Sequence, residues 1–291
     1  MREELEAPWP VVVIGGGPAG LAAGLQLSRA GCKTLLLEAD RLGGQARRLP
    51  RIENYPGFPG AVAGKRLMSR FLRQARGWGL TTRRAQVLAL RLRPGGWTLK
   101  LRGGARVAAQ AVLYCGGARW RALGLPGEGR LRVVYHAAFD EAPRFAGRTV
   151  AVVGGGEAAV HQAAALAARA RRVYLLSRGP LKVHALLRAR LAACRNVVPL
   201  QGWRVASLKG KRRLEAVDAR GAGAPVRLPV DALFVLVGML PAKLPGLRRG
   251  APGIFVAGDA RGERFRQVAV AAGDGVRQGM RCLSYLSRGG A

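Results

Sequence analysis

A glycine turn between an apolar strand and a small-residue helix constrains this chain more than any other feature. Val11–Val12–Val13–Ile14 runs into Gly15–Gly16–Gly17–Pro18–Ala19–Gly20, and apolar residues then recur at helical spacing from Leu21 to Ala30. Four branched apolar residues in a row predict a strand buried on both faces. Gly15, Gly17 and Gly20 hold the three glycine positions of G-x-G-x-x-G. The first permits the turn, the second lets backbone approach a pyrophosphate, and the third lets helix and strand pack closely. Pro18 and Ala19 lie in the turn, and the pyrophosphate would sit on the N-terminus of the helix that follows, where free N–H groups and the dipole favour negative charge. Glu38 closes the next strand, Thr34–Leu35–Leu36–Leu37–Glu38, where a carboxylate accepting from ribose hydroxyls belongs.

The pattern occurs twice. Thr149–Val150–Ala151–Val152–Val153–Gly154–Gly155–Gly156–Glu157–Ala158–Ala159 repeats the strand and turn as G-x-G-x-x-A, followed by a helix from Val160 to Arg169 and a strand from Arg172 to Leu176. The units align without a gap, since Gly15 to Glu38 and Gly154 to Ser177 each span 23 positions. Two such folds in one chain imply two dinucleotides. In the second copy Ser177 and Arg178 stand where Glu38 stood in the first. A carboxylate repels a 2′-phosphate, whereas a hydroxyl and a guanidinium bind one. The first unit suits FAD or NAD, and the second leans towards NADPH. Arg178 read by itself is equally compatible with an ordinary solvated arginine.

The chain of 291 residues is long enough for two domains with separate cores. Its net charge of +33 raises the question of nucleic acid. Only seven of its 49 basic residues are lysine, and the arginines are spread along the chain without a dense tail or a nucleic-acid-binding signature. Compositional bias accounts for that charge more simply than an evolved polyanion surface, so no specific nucleic-acid partner is expected. No apolar run approaches a membrane span, and the acidic start Met1–Arg2–Glu3–Glu4–Leu5–Glu6 lacks a signal core, which predicts a cytoplasmic protein without a membrane partner. Cys32, Cys115, Cys194 and Cys282 lie far apart with no C-x-x-C and no metal spacing, and are read as separate reduced thiols.

Between the glycine units, Gly64 to Arg76 reads as a helix, and Val87 to Leu92, Trp97 to Arg102 and Val107 to Tyr114 read as strands. Gly116–Gly117 and Leu125–Pro126–Gly127 mark a first crossover, and Pro241 to Pro252 a second. Residues 204–219 and 226–228 suggest a small antiparallel insert. Asp231 to Gly238 reads as a buried strand, and Gly253 to Asp259 as a last strand with an acid at its tip before a helix from Val268 to Leu286. The expected domains are 1–117 with 243–291, and 118–242.

The sequence is similar to the low-molecular-weight thioredoxin reductase family of two-domain flavoproteins over nearly its whole length. The resemblance rests on the glycine units, on Gly43–Gly44–Gln45, Ile52–Glu53–Asn54–Tyr55–Pro56–Gly57, Leu123–Gly124–Leu125–Pro126–Gly127–Glu128, Gly253–Asp259 and Arg266–Gln267–Val268, and on Ala271–Ala272–Gly273–Asp274–Gly275. It implies an α/β fold of two doubly wound, three-layer, Rossmann-like domains, and a homodimer. It places Glu38 on the adenosine ribose, Val87 beside the adenine, Gln45 and Asn54 beside the flavin, Asp259 on the ribityl chain, and Arg266 and Gln267 on the flavin ring. Gly44, Gly117, Gly258 and Val268 complete the implied FAD set, and Gly154, Gly156, Glu157, Ala158, Ser177 and Arg178 form the NADPH set.

Three departures stand out. The family's Cys-x-x-Cys-Asp is here Ala137–Ala138–Phe139–Asp140–Glu141, so the chain has no thiol pair through which to pass electrons to a disulfide. The family's His-Arg-Arg-x-x-x-Arg phosphate clamp reads Ser177–Arg178–Gly179–Pro180–Leu181–Lys182–Val183. Residues 241–253 are shorter than the family's equivalent, which predicts a missing hairpin. His136, directly before the lost cysteines, is a candidate proton donor near the flavin or a loop histidine bonded to backbone; His161 and His184 read as structural. The sequence as a whole points to an FAD-dependent NAD(P)H oxidoreductase without its own dithiol, delivering electrons to a small molecule or an acidic redox protein. The alternatives are a ferredoxin- or flavodoxin–NADP reductase-like enzyme and a non-catalytic flavin- or nucleotide-binding sensor or partner-binding protein.

Overall fold

The computed structural model describes residues 8–131, 134–135, 139–262 and 264–289. Its elements run β1 (Trp9–Ile14), α1 (Pro18–Arg29), β2 (Thr34–Glu38), α2 (Gly64–Gly77), β3 (Thr81–Arg84), β4 (Val87–Arg93), β5 (Gly96–Leu101) and β6 (Arg106–Tyr114). They continue as β7 (Ala118–Trp120), β8 (Val134–Tyr135), β9 (Thr149–Val153), α3 (Glu157–Ala167), β10 (Arg172–Ser177), α4 (Ala185–Ala192) and β11 (Val197–Gln201). The remainder is β12 (Arg204–Lys209), β13 (Ala216–Arg220), β14 (Val226–Pro229), β15 (Ala232–Val235), β16 (Met239–Pro241), β17 (Ile254–Val256) and α5 (Val268–Ser287). The chain divides into two compact units, Met1–Ala118 with Pro241–Ala291, and Arg119–Leu240.

In the first unit β3-β2-β1-β6 form a parallel ladder that β17 extends from β6, while β5 pairs antiparallel with β6 and β4 antiparallel with β5. The nine-residue β6 serves both parts: Trp97 to Lys100 pair with its first half, and β17 pairs with Val112–Tyr114. Alternation along the strands separates two cores. Val11, Val13, Leu36, Ala111 and Leu113 join the helical layer with Leu21, Leu27, Leu67 and Cys282. Val12, Ile14, Leu35, Leu37, Val112 and Tyr114 join Leu90, Trp97, Leu99 and Leu101 of the antiparallel layer. The all-apolar strands of the sequence are thus buried on both faces, as a parallel sheet between two layers requires.

The second unit repeats the plan. Its sheet, β11-β10-β9-β15-β8, is parallel throughout. One face packs on α3 and α4 through Val150, Val152, Val173, Leu175 and Phe234. The other packs on the antiparallel β12-β13-β14 sheet through Ala151, Val153, Leu176, Leu233 and Val235. The fold is α/β with two Rossmann-like three-layer units, and the small antiparallel insert expected after residue 204 is this third layer.

Four details differ from the sequence reading. The helix expected from Val160 starts at Glu157, directly on the glycine turn. The strand expected through Asp259 ends at Val256, because Gly258 takes φ +67° and turns Asp259 onto a 3-10 turn, Gly258–Arg261. β15 occupies only Ala232–Val235 of the eight residues expected to form it. Residues 241–252 are not entirely loop, since Pro241 ends β16.

Trp97 ties the antiparallel layer to the segment just before β17: it is 1% exposed and donates from Nε1 to the Pro252 carbonyl at 3.0 Å. Replacing a large buried aromatic by alanine removes its packing and leaves a cavity. Trp97→Ala is expected to cost about 3–5 kcal/mol of unfolding free energy, read from the urea midpoint; a loss below about 1 kcal/mol would contradict this packing.

Candidate functional site

The first unit carries the more complete site. Gly15 has φ +103°, and a Cβ there would stand 2.3 Å from the Cys115 carbonyl oxygen. A Cβ on Gly20 would stand 1.8 Å from the Gly15 carbonyl oxygen, so α1 can pack on the turn only without one. Gly17, by contrast, faces open space, with no atom within 4 Å of its would-be Cβ. The three glycines thus divide into two for packing and one for approach, as a pyrophosphate at the start of α1 requires. Glu38 reaches back to this turn, its Oε2 accepting from the Gly16 N–H at 2.6 Å and its Oε1 from the Asp40 N–H at 2.9 Å. Two amides on two oxygens orient the carboxylate and leave it further lone pairs for ribose hydroxyls. A dinucleotide fits the residues present.

The other expected flavin-side residues fall around this turn and the end of the sheet. Gly44, at φ +55°, sits so close that a Cβ would lie 3.0 Å from the Gly17 Cα. Gln45 is exposed and donates from Nε2 to the Ala118 carbonyl at 2.5 Å, beside Gly117 at φ +67°. Asn54 donates from Nδ2 to Gln267 Oε1 at 2.9 Å, which joins two residues 213 positions apart. Gln267 precedes α5, and Val268 is its first residue. Val87 opens β4 two residues beyond Ala85, whose N–H donates to the Glu38 carbonyl at 2.9 Å, and it packs against the Ile14–Leu37 core layer.

Asp259 is half-buried on its turn. Desolvation raises its pKa above the ordinary carboxylate value, and the Arg266 guanidinium opposes that rise. A partly desolvated acid facing an arginine beyond the carboxyl end of a parallel strand is a candidate functional group. Because the folded-state pKa lies above the unfolded one, this group adds stability below the unfolded pKa of about 3.9 and loses it as pH rises through the folded value. Asp259→Asn is therefore expected to raise the melting temperature of the FAD-free protein at pH 7, the gain closing as the pH falls towards 4; equal differences at both pH values would contradict it.

The second unit holds a sparser site. Gly154 has φ +147°, and a Cβ there would meet the Leu236 carbonyl oxygen at 2.4 Å and Ala159 Cβ at 2.9 Å. Gly156 is exposed with open space before it, and Glu157 and Ala158 begin α3. Ser177 is 3% exposed and spends its proton on the Gly179 carbonyl at 2.7 Å, so it offers a nucleotide lone pairs rather than a donor. Arg178 is exposed beside it. Lys182, in the segment that aligns with the family's phosphate clamp, is bridged by its backbone to Gly156 and donates its backbone N–H to the Gly155 carbonyl at 2.7 Å. The backbone of a lysine is thereby fixed beside the glycine turn, with its side chain exposed. His184 caps α4, its Nδ1 accepting from the Leu187 N–H at 3.3 Å.

The four cysteines are separate thiols. Burial pushes Cys282 up to about 12 and raises Cys32 and Cys115 as well, so none of these three offers a thiolate at neutral pH. Asp140 lies in the short 3-10 segment Phe139–Phe145, and His136, Ala137 and Ala138 lie outside the described residues. Among the described residues no His, Cys, Asp and Glu cluster suits a metal, and no helix is long and apolar enough to cross a membrane.

The family model described as pyridine nucleotide-disulphide oxidoreductase matches residues 9–275, and the chain belongs to that family. It is an FAD-dependent NAD(P)H oxidoreductase of the thioredoxin reductase-like class. It is 30% identical to the thioredoxin reductase of Listeria monocytogenes, over 97% of this chain and 95% of that one. With the thioredoxin reductase of Treponema pallidum it shares 28% identity, over 97% and 98% of the two chains. The crystal structure of Lactococcus lactis thioredoxin reductase superposes with a TM-score of 0.90 at 25% identity, covering 96% of this chain and 99% of that one.

Proposed function

We propose that this homodimeric enzyme takes reducing equivalents from NADPH in the second unit and passes them through FAD in the first to an acceptor outside the chain. The carrying observation is the coexistence of a complete first glycine unit with four separate thiols, three of them raised by burial. Gly15 to Gly20 and Glu38 would hold the pyrophosphate and adenosine ribose of FAD. Gln45, Asn54, Asp259, Arg266 and Gln267 would line the flavin end. When bound, FAD supplies two-electron chemistry with a nicotinamide and release of those electrons to an acceptor. The chain's own part is to bind, orient and shield from water.

Preference for NADPH is supported by the absence of a carboxylate after β10 and by Arg178 and Lys182 beside the turn. With Ser177 turned to Gly179, the discrimination rests on these cations and is expected at about tenfold, the low end for a charge-assisted contact. An anaerobic titration of the yellow protein should show flavin bleaching at lower NADPH than NADH, with the gap closing in Arg178→Ala. Equal titrations, unchanged by the substitution, would refute the preference.

A small-molecule acceptor such as a quinone or oxygen is the favoured oxidant, supported by small residues at positions 137 and 138 of the sequence where the family has its dithiol region. An acidic carrier protein is the second reading, which the net charge of +33 supports. Steady-state turnover across a salt series separates them: steered association falls steeply as the Debye length shrinks to about 10 Å at 0.1 M salt, while a neutral quinone is indifferent. Salt-independent quinone turnover with negligible thioredoxin reduction is expected. Fast, salt-sensitive carrier reduction without quinone turnover would reverse the order, and thioredoxin turnover surviving loss of all four cysteines would require another mechanism.

A further inference from the structure

The turn that carries Asp259 is short, and its ends leave polar backbone groups that need partners outside the turn: the Gly258 N–H at its start and the Ala260 and Arg261 carbonyls at its finish. Each end meets a charged side chain of the sign its dipole favours. At the start, the Gly258 N–H donates to Asp274 Oδ2 at 2.8 Å. The Asp274 side chain is only 6% exposed, and its other oxygen receives Arg277, with Arg261 at 3.6 Å. At the finish, the Arg249 guanidinium forks across two carbonyls, Nη1 to Arg261 at 2.9 Å and Nη2 to Ala260 at 2.5 Å. Between the two anchors the turn has little freedom. Ala260 is fully buried, and a Cβ on Gly258 would crowd Ala19 at 2.8 Å.

We propose that Asp274 and Arg249 are the positioning residues of the flavin site, holding from opposite ends the turn that presents Asp259. Neither was assigned a role by its type or spacing. Asp274 lies on α5, and Arg249 lies in the shortened segment before β17, the stretch otherwise notable only for what it lacks. The planar fork suits arginine to this place: it sets two donors in fixed directions on two successive carbonyls, whereas a lysine ammonium is a compact point charge on a flexible stem. This inference rests on the assignment of Asp259 to FAD, and the experiment separates the two.

Purified full-length protein is stripped of flavin and titrated with FAD by fluorescence quenching, with the visible circular dichroism of the bound flavin recorded for each variant. Arg249→Ala is expected to weaken FAD about tenfold, the effect of losing charge-assisted hydrogen bonds. Arg249→Lys should not restore affinity, and Asp274→Asn, which keeps an acceptor for the Gly258 N–H, should lose less than Asp274→Ala. The neighbouring Arg248→Ala removes the same charge from the same segment and should match wild type. In the Asp259→Ala background, Arg249→Ala should cost less than about twofold, because both act through one contact. Should Asp274→Ala fail to fold, the Asn and Arg249 variants still decide the matter. Normal loss in Asp259→Ala with unchanged affinity and flavin dichroism in Arg249→Ala and Asp274→Asn would overturn the clamp alone. Unchanged affinity in Asp259→Ala would remove the assignment beneath it. Losses that add fully in the double variant would also overturn the clamp, since they would mean that Arg249 acts elsewhere.

Discussion

The architecture of the first unit depends on a contact that contains no side chain. At Gly20, α1 lies so close to the turn that even a methyl group would overlap the Gly15 carbonyl. The same helix end is approached from two other directions. Gly275 of α5 has no room for a Cβ beside the Ala19 carbonyl, where it would stand 2.1 Å away, and Gly258 abuts the Ala19 methyl. β1, β6, β17 and α5 therefore converge on the first turn of one helix, and backbone touches backbone. A helix start fixed from three sides is a rigid donor array, and rigid donors lose little on meeting an anion because they need no reordering.

The second unit shows what happens when this arrangement is relaxed. Ala159 takes the place of Gly20, and Ser177 the place of Glu38. In the first unit the acid reaches inward and binds the turn's own amide. In the second, the shorter hydroxyl bonds locally to the Gly179 carbonyl instead. The substitution thus changes the charge offered to a ribose, while the neighbouring loop is anchored alike in both units: the Lys182 N–H donates to the Gly155 carbonyl as the Gly43 N–H does to that of Gly16, both at 2.7 Å.

How legible this was depended on range. β1, β9, the glycine turns and α5 followed from period and composition, since each is a local pattern buried by its own layer. The position of Asp259 did not follow: an acid after an apolar run reads as a strand tip, and only the positive φ of Gly258 shows that it sits on a turn. The Asn54–Gln267 bond had no local signal across more than two hundred residues; only the resemblance, which puts both residues at the flavin, brought them together. α4 was missed as well; its eight residues have no clear apolar face, and it is started by a histidine cap rather than by the usual hydroxyl or carboxylate. β3 and β11 are edge strands whose mixed burial hides their period.

The excess of arginine sharpens the meaning of the acids that remain. With 16 carboxylates against 49 cations, ion pairs are available to any acid, yet several acids are bound to backbone N–H groups. Glu38 takes the Gly16 and Asp40 amides, Glu128 takes those of Leu123, Gly124 and Leu125, Asp231 takes Thr149, and Asp274 takes Gly258. A guanidinium cannot accept a hydrogen bond, so these are positions that the chain's prevailing charge cannot fill. Exchanging an exposed arginine for another polar residue changes mainly a screened field. Removing one of these carboxylates strands an amide at a turn, with a cost that salt does not screen away. The net charge therefore describes how the molecule meets its surroundings, while its few acids determine the shape of the loops from which the sites are built.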